Sequence, residues 1–146
     1  MANRYTYQVN EKKTARALSK DQNLSAKHCN EICHAIKGMS VDKAISYLKK
    51  VIDKEDFVPF RRYNTGVGHR KGGTPGRYPQ RAAKIVIKTL ENLRANAENL
   101  ELEPEKMKII QASAFKTANI HRIKPKGRVK TQNIELARIE IVAKQT

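Results

Sequence analysis

Beyond Pro104 the apolar residues of this chain stop recurring every third or fourth position and begin to alternate. Met107, Ile109, Gln111, Ser113 and Phe115 fall on one side of an extended strand, and Lys108, Ile110, Ala112, Ala114 and Lys116 on the other. Near the C-terminus Ala137, Ile139, Ile141 and Ala143 alternate with Leu136, Arg138, Glu140 and Val142. A period of two is the mark of a β-strand. Between the two runs lies Arg122-Ile-Lys-Pro-Lys-Gly-Arg128, where Pro125 and Gly127 mark a reversal. The pattern predicts a long antiparallel hairpin with a strongly basic tip. At about 3.3 Å per residue, the arm from Ile109 to the reversal reaches about 50 Å. A chain of 146 residues cannot cover that length with its own body, so the outer half should project. An isolated two-stranded ribbon is marginal in water, and this one is expected to order on a partner.

The first hundred residues read differently. Residues 1–13 are polar and expected to be loose, and residues 14–19 suggest a short strand. Ser25 is a candidate N-cap, followed by Ala26, Cys29, Ile32, Cys33 and Ile36 at helical spacing. Gly38 should end that helix, because a positive φ is cheap only for glycine. Ser40 then caps a second helix, with Asp42 in its first turn and a stripe of Val41, Ala44, Ile45, Leu48 and Ile52. Two short amphipathic helices joined by a tight turn make an αα-hairpin.

Residues 59–80 break all periodicity and hold five of the seven glycines. A structureless loop of this length inside a compact domain is uncommon and usually functional. Pro79 then suits the first position of a third helix, with Ala82, Ala83, Val86, Leu90, Leu93, Ala97 and Leu100 as its apolar stripe. That helix is charged against the usual rule: Arg81, Lys84 and Lys88 crowd its first half, and Glu91, Glu98 and Glu101 lie toward its end. The macrodipole prefers the reverse. An anion at the N-terminus would meet free N–H groups and basic side chains together, so this end reads as a phosphate site.

Charge is segregated along the chain. Residues 57–90 contain no acid and eight positive charges, and residues 106–134 contain no acid and eight more. Together these windows account for the whole formal net charge of +16. The remainder balances 14 basic against 14 acidic groups. Solubility alone does not require such segregation, because mixed signs repel less. Two uncompensated basic segments on a neutral body point to a polyanion, and phosphate backbones are the commonest one. A membrane surface would instead favour a basic amphipathic helix. No apolar run approaches the roughly 18 residues of a membrane span, and no signal-peptide core occurs in the first 25 residues. The 32 Leu, Ile, Val and Phe residues allow a modest core, and two cysteines point to a reducing cytosol rather than a disulfide scaffold.

Catalytic chemistry is not legible. Gly66-x-Gly68 is followed by Lys71 where a dinucleotide fingerprint needs glycine; Gly68 and Gly73 have Walker spacing, but Thr74 stands at the lysine position. Cys29 and Cys33 lie on one helical face, while His28 and His34 point elsewhere, so no zinc site is expected and the thiols read as buried small hydrophobes. Neither basic window holds a carboxylate cluster, and Glu105 and Glu135 stand only at the edges of the second, whereas a nuclease would keep its metal-binding acids close to its basic cleft. His69 and His121 lie among basic residues and read as phosphate contacts. Two rivals follow from the same features: a DNA-binding or nucleoid protein using the Gly38 turn as a helix-turn-helix, and an RNA-modifying or RNA-cleaving enzyme using His69 or His121. The second helix offers no row of base-reading side chains, and no cofactor or metal is expected.

Several segments resemble one family: Leu24-Ser-Ala-Lys-His-Cys29, Ile36-Lys-Gly-Met-Ser-Val-Asp-Lys-Ala44, Val58-Pro-Phe-Arg-Arg-Tyr-Asn64, Gly66-Val-Gly-His-Arg-Lys-Gly72 and Leu90-Glu-Asn-Leu-Arg-Ala-Asn-Ala-Glu98. It is the universal large-subunit ribosomal protein family numbered twenty-two in bacteria and seventeen in eukaryotes. The likeness runs over residues 14–142 and looks archaeal in its Pro-Phe-Arg-Arg insertion and in lacking a long C-terminal extension. It implies an α+β fold, three helices packed on a small antiparallel sheet with a long protruding β-hairpin. One domain is expected, with a mostly helical body over 14–104, the basic insertion at 57–80 within it, and the hairpin over 105–144 with its tip near 120–130. The resemblance implies a non-enzymatic, cytoplasmic protein that binds large-subunit ribosomal RNA beside neighbouring ribosomal proteins, and whose tip meets the nascent polypeptide in the exit tunnel. Carried over residue by residue, the RNA contacts of the insertion are Arg61, Arg62, Tyr63, Asn64, His69, Arg70, Lys71 and Arg77. Arg81 and Lys84 follow on the third helix, and Lys116, His121, Arg122, Lys124, Lys126, Arg128 and Lys130 on the hairpin. The tunnel tip is Arg122, Ile123, Lys124, Pro125, Lys126, Gly127 and Arg128, and it has no aromatic where the family commonly carries one.

Overall fold

The alternating C-terminal third supplies the sheet on which everything else packs. A computed structural model describes residues 5–7, 13–126 and 128–146. The elements run β1 (Thr14–Asn23), α1 (Ala26–Ile36), α2 (Val41–Asp53), β2 (Val58–Pro59), β3 (Gly76–Arg77), α3 (Gln80–Asn99), a 3-10 turn (Pro104–Lys106), β4 (Met107–Lys126) and β5 (Arg128–Gln145). The main sheet is antiparallel in the order β1-β5-β4. Strand β5 is therefore central, and α1 and α3 cover one face of the sheet while α2 packs on α3.

Both early helices begin after an extended serine, Ser25 and Ser40, as the sequence suggests, though neither side chain makes a capping hydrogen bond. Gly38 has φ +85°, the left-handed geometry that closes α1. The turn it makes has a second use. The Gly38 amide donates to the Ile109 carbonyl at 2.9 Å, and the Ile109 amide donates to the Met39 carbonyl at 2.9 Å. The αα-turn thereby seals part of the β4 edge, which would otherwise offer unpaired donors and acceptors.

The core is a seam of small and branched side chains. Ala15, Ala17, Ala112, Ala114, Ala137 and Ala143 let the helices approach the sheet, and Ile109, Ile139 and Ile141 fill the space between. From above come Cys29, Ile32, Cys33 and Ile36 of α1, Ala44 and Leu48 of α2, and Val86, Leu90 and Leu93 of α3, all buried. Each of the larger ones contributes about 1.5–3 kcal/mol on burial.

Four expectations need correction. Strand β1 runs past residue 19 to Asn23, because a ladder irregularity between Ser19 and Gln22 absorbs the polar stretch and pairing with β5 resumes at Gln22. Pro79 precedes α3 as its N-cap rather than opening it, and Leu100 caps the other end with 57% of its surface exposed, outside the buried stripe. The alternation in β4 does not keep one face: an extra residue between Ile109 and Gln111 switches it, so Met107 and Ile109 share the core with Ala112 and Ala114. Residues 59–80 are not structureless. Val58 and Pro59 pair with Arg77 and Gly76, and His69 bridges to Pro75. The expectation of looseness at residues 1–13 falls mainly outside the described residues.

Candidate nucleic-acid interface

The basic insertion is folded by its own polar groups. The Phe60 amide donates to the Pro75 carbonyl at 2.9 Å, the Arg70 amide to Thr74 at 3.0 Å and the Gly73 amide to Arg70 at 3.0 Å. Arg70 donates its Nε to the Gly76 carbonyl at 2.9 Å and lies over the Tyr78 ring at 4.9 Å. Gly76 allows this closeness: a Cβ there would collide with the Phe57 ring and sit 2.9 Å from the Val58 carbonyl oxygen. Arg77 reaches the Gly66 carbonyl at 3.4 Å and lies over Phe60 at 5.7 Å. Arg70, half-buried, and Arg77, exposed, thus both make contacts within the insertion, and Arg61, Arg62, Asn64, His69 and Lys71 are exposed as well.

Tyr63 is half-buried between two cations, Lys27 at 5.7 Å and Arg62 at 5.5 Å from its ring centre. Arg62 and Tyr63 wall a groove with Lys27, Asn30 and His34 of α1, with Lys37 just past its end, and with Gln111 and Lys116 of β4. Lys37 donates to the Gln111 side-chain oxygen at 2.7 Å, and Lys116 pairs with Glu135 at 3.3 Å. The sequence reading missed the α1 wall. Its signal was available, since residues 27, 30, 34 and 37 recur three and four apart on the helical face opposite Cys29 and Ile36.

Arg81, Lys84 and Lys88 are exposed along α3, and no acid stands in its first turn. Arg81 lines a cleft with His28, Tyr78, Gln132, Asn133 and Glu135, where the start of α3 meets the root of the hairpin. His28 stacks edge-on against Phe60, with ring centres 5.5 Å apart. Burial, then the positive charge of Arg77, holds its pKa below the usual histidine value, with Glu135 opposing.

The hairpin changes character after a second irregularity between Lys116 and Ala118. From Phe115 to Lys124 every side chain is exposed, as are Lys130, Thr131, Gln132 and Asn133. Alternation puts Arg122, Lys124, Lys130 and Gln132 on one face, and His121, Ile123, Thr131 and Asn133 on the other. His121 Nδ1 lies 2.6 Å from the Asn133 side-chain oxygen. Arg122 stands opposite Gln132, and Lys124 directly opposite Lys130. Like charges facing each other across a ladder are destabilising. Lys126 pairs with Arg128 and Pro125 with Val129 in the ladder; Gly127 lies outside the described residues.

Burial raises the Cys29 thiol to about 12 and Cys33 further still, so both are inert apolar groups. Among the described residues no cluster of three or more His, Cys, Asp or Glu side chains is placed to hold a metal ion, and no helix is long and apolar enough to cross a membrane.

Residues 17–144 match the family model described as ribosomal protein L22p/L17e. The chain is 41% identical over 143 residues to the large ribosomal subunit protein uL22 of Methanocella arvoryzae, covering 94% of each chain. It is 42% identical to that of Methanocaldococcus jannaschii, covering 97% of this chain and 94% of the other. With that of Nitrosopumilus maritimus the identity is 39% over 134 residues, 89% of this chain and 88% of the other.

Proposed function

As the chain belongs to the ribosomal protein L22p/L17e family and is an archaeal-type member of it, we propose that it clamps large-subunit ribosomal RNA with its insertion and hairpin and carries the hairpin tip to the wall of the nascent-peptide exit tunnel. Family membership makes it a structural constituent of the cytoplasmic large subunit, not an enzyme.

One observation carries the RNA reading. Lys124 faces Lys130 on a ribbon whose side chains are exposed from Phe115 to Lys124 and from Lys130 to Asn133, an arrangement that costs stability unless an anion lies between the two charges. Phosphates supply that anion, and neutralising them releases counterions. Binding of this kind reads RNA shape and backbone rather than base edges. The tunnel reading rests on reach: the stretch from Lys116 to Lys126 rises about 33 Å beyond the helical body. Neighbouring ribosomal proteins and the nascent polypeptide are the further partners at that depth.

The test is the affinity of the purified chain for transcribed large-subunit ribosomal RNA as salt is raised. The logarithm of the binding constant is expected to fall with log salt at a slope of about −3 or steeper. A slope near zero, or equal affinity for duplex DNA, overturns RNA binding. A photocrosslinker at Lys124 in intact ribosomes is expected to label tunnel RNA or a stalled nascent chain, and labelling elsewhere overturns the tunnel assignment.

A further inference from the structure

Glu31 is a carboxylate on the apolar side of α1 and is 0% exposed. Three successive backbone amides converge on it: Arg61 at 3.1 Å, Arg62 at 2.9 Å and Tyr63 at 2.7 Å. Consecutive N–H groups aimed at one point form a nest, the kind of concavity with which proteins bind phosphate and other anions. Here the anion belongs to the chain itself. A buried charge is tolerable only when it is hydrogen-bonded, and an ionised carboxylate is acceptor-only, so it suits three donors and offers none in return.

We propose that Glu31 is a positioning residue for RNA binding, acting through Arg61, Arg62 and Tyr63 by occupying their backbone nest, so that the two arginines emerge at the surface beside the half-buried Tyr63 ring. The assignment rests on the RNA-binding reading above. With the amides satisfied internally, the loop meets phosphate through its guanidiniums, which give forked donors, rather than through its backbone. The exposed Arg61 and Arg62 line one groove beside His34, Met39 and Tyr47. Arg62 and Tyr63 line its neighbour beside Lys27 and Lys37. One buried oxygen pair thus sets the walls of two adjoining basic grooves. Glu31 lies 30 residues before Arg61 in the chain, so the contact ties the insertion to the helical body at the point where its arginines emerge.

The test is a cycle between Glu31→Gln and the double variant Arg61→Ala/Arg62→Ala, read by binding to transcribed large-subunit ribosomal RNA and by amide hydrogen exchange. The Gln side chain keeps the shape but sets an NH2 group against the amides. E31Q is expected to speed exchange at residues 61–63 at least tenfold while the α1 interior keeps its protection. It should lower RNA affinity about fivefold and flatten the salt slope toward that of the arginine double variant. In the arginine-free background E31Q should cost less than about twofold more, the non-additivity of residues that act together. Equal losses in both backgrounds, or unaltered RNA affinity in E31Q beside a wild type that binds normally, overturn the proposal and leave the RNA reading standing. A wild type without salt-dependent binding overturns that reading first, and this one with it. Should E31Q unfold, Glu31→Asp keeps two ionised oxygens on a shorter stem. Loosening confined to residues 61–63 with a flatter salt slope then supports the proposal, and uniform loosening of the chain overturns it.

Discussion

At its inner end the β4–β5 ladder carries Ile139, 0% exposed beneath the helices; at its outer end it carries Ile123, 64% exposed. Both are isoleucines in the same pair of strands, with the same backbone pairing. The inner half has α1 and α3 on one face and β1 along its edge, whereas among the described residues the outer half is held mainly by its own cross-strand bonds. Backbone hydrogen bonds add little net stability, because water competes for them in the unfolded chain. Apolar burial is what separates the two halves. The inner half is held by burial beneath the helices, and the outer half is an exposed cationic arm that lacks it.

The comparison is tested most severely by truncating each isoleucine. Ile139→Ala should cost about 3 kcal/mol of unfolding free energy, and Ile123→Ala less than about 0.5 kcal/mol, both read from urea denaturation. Similar losses at the two sites would abolish the distinction. Excising residues 118–134 and joining the strands with Asn-Gly should spare far-UV helicity and the thermal midpoint, yet weaken RNA binding by about a hundredfold near physiological salt, with a visibly flatter salt slope. Loss of the helical signal would show that the arm supports the body after all. The smallest effect is expected at the junction, where His28 meets Phe60, Arg77 and Glu135. Its pKa is lowered in the folded chain from the ordinary 6.5, first by burial and then by Arg77. The unfolded state therefore binds more protons between that lowered value and 6.5, and stability rises with pH through the window and is lost on acidification. The thermal midpoint should drop modestly from pH 7.5 to 5.5, and His28→Gln should remove that part of the dependence.

Much of this molecule was legible beforehand. The stripe from Cys29 to Ile36 found α1, Gly38 found its end, and the alternation of Ala137, Ile139, Ile141 and Ala143 found the core face of β5. The placement of positive charge was legible as two acid-free windows. The switch of face near Ile110 was not, because an inserted residue in a strand leaves composition unchanged and shows only against its partner's register. Glu31 was overlooked for a related reason. A lone acid on an apolar stripe reads as an exception until the loop that needs it is found 30 residues away.

Taken alone, the sequence determined the three amphipathic helices, the long ribbon and the placement of positive charge, because periodicity and charge density are properties of neighbours in the chain. Only the tertiary structure decided that Arg70 and Arg77 make contacts within the insertion and that Arg61 and Arg62 are exposed. It also decided that an α1 carboxylate holds that loop, and that Lys124 confronts Lys130. Each of these depends on which hydrogen-bond donor meets which acceptor across a turn, a groove or a strand gap, and such meetings are set when the core closes rather than by the residues on either side.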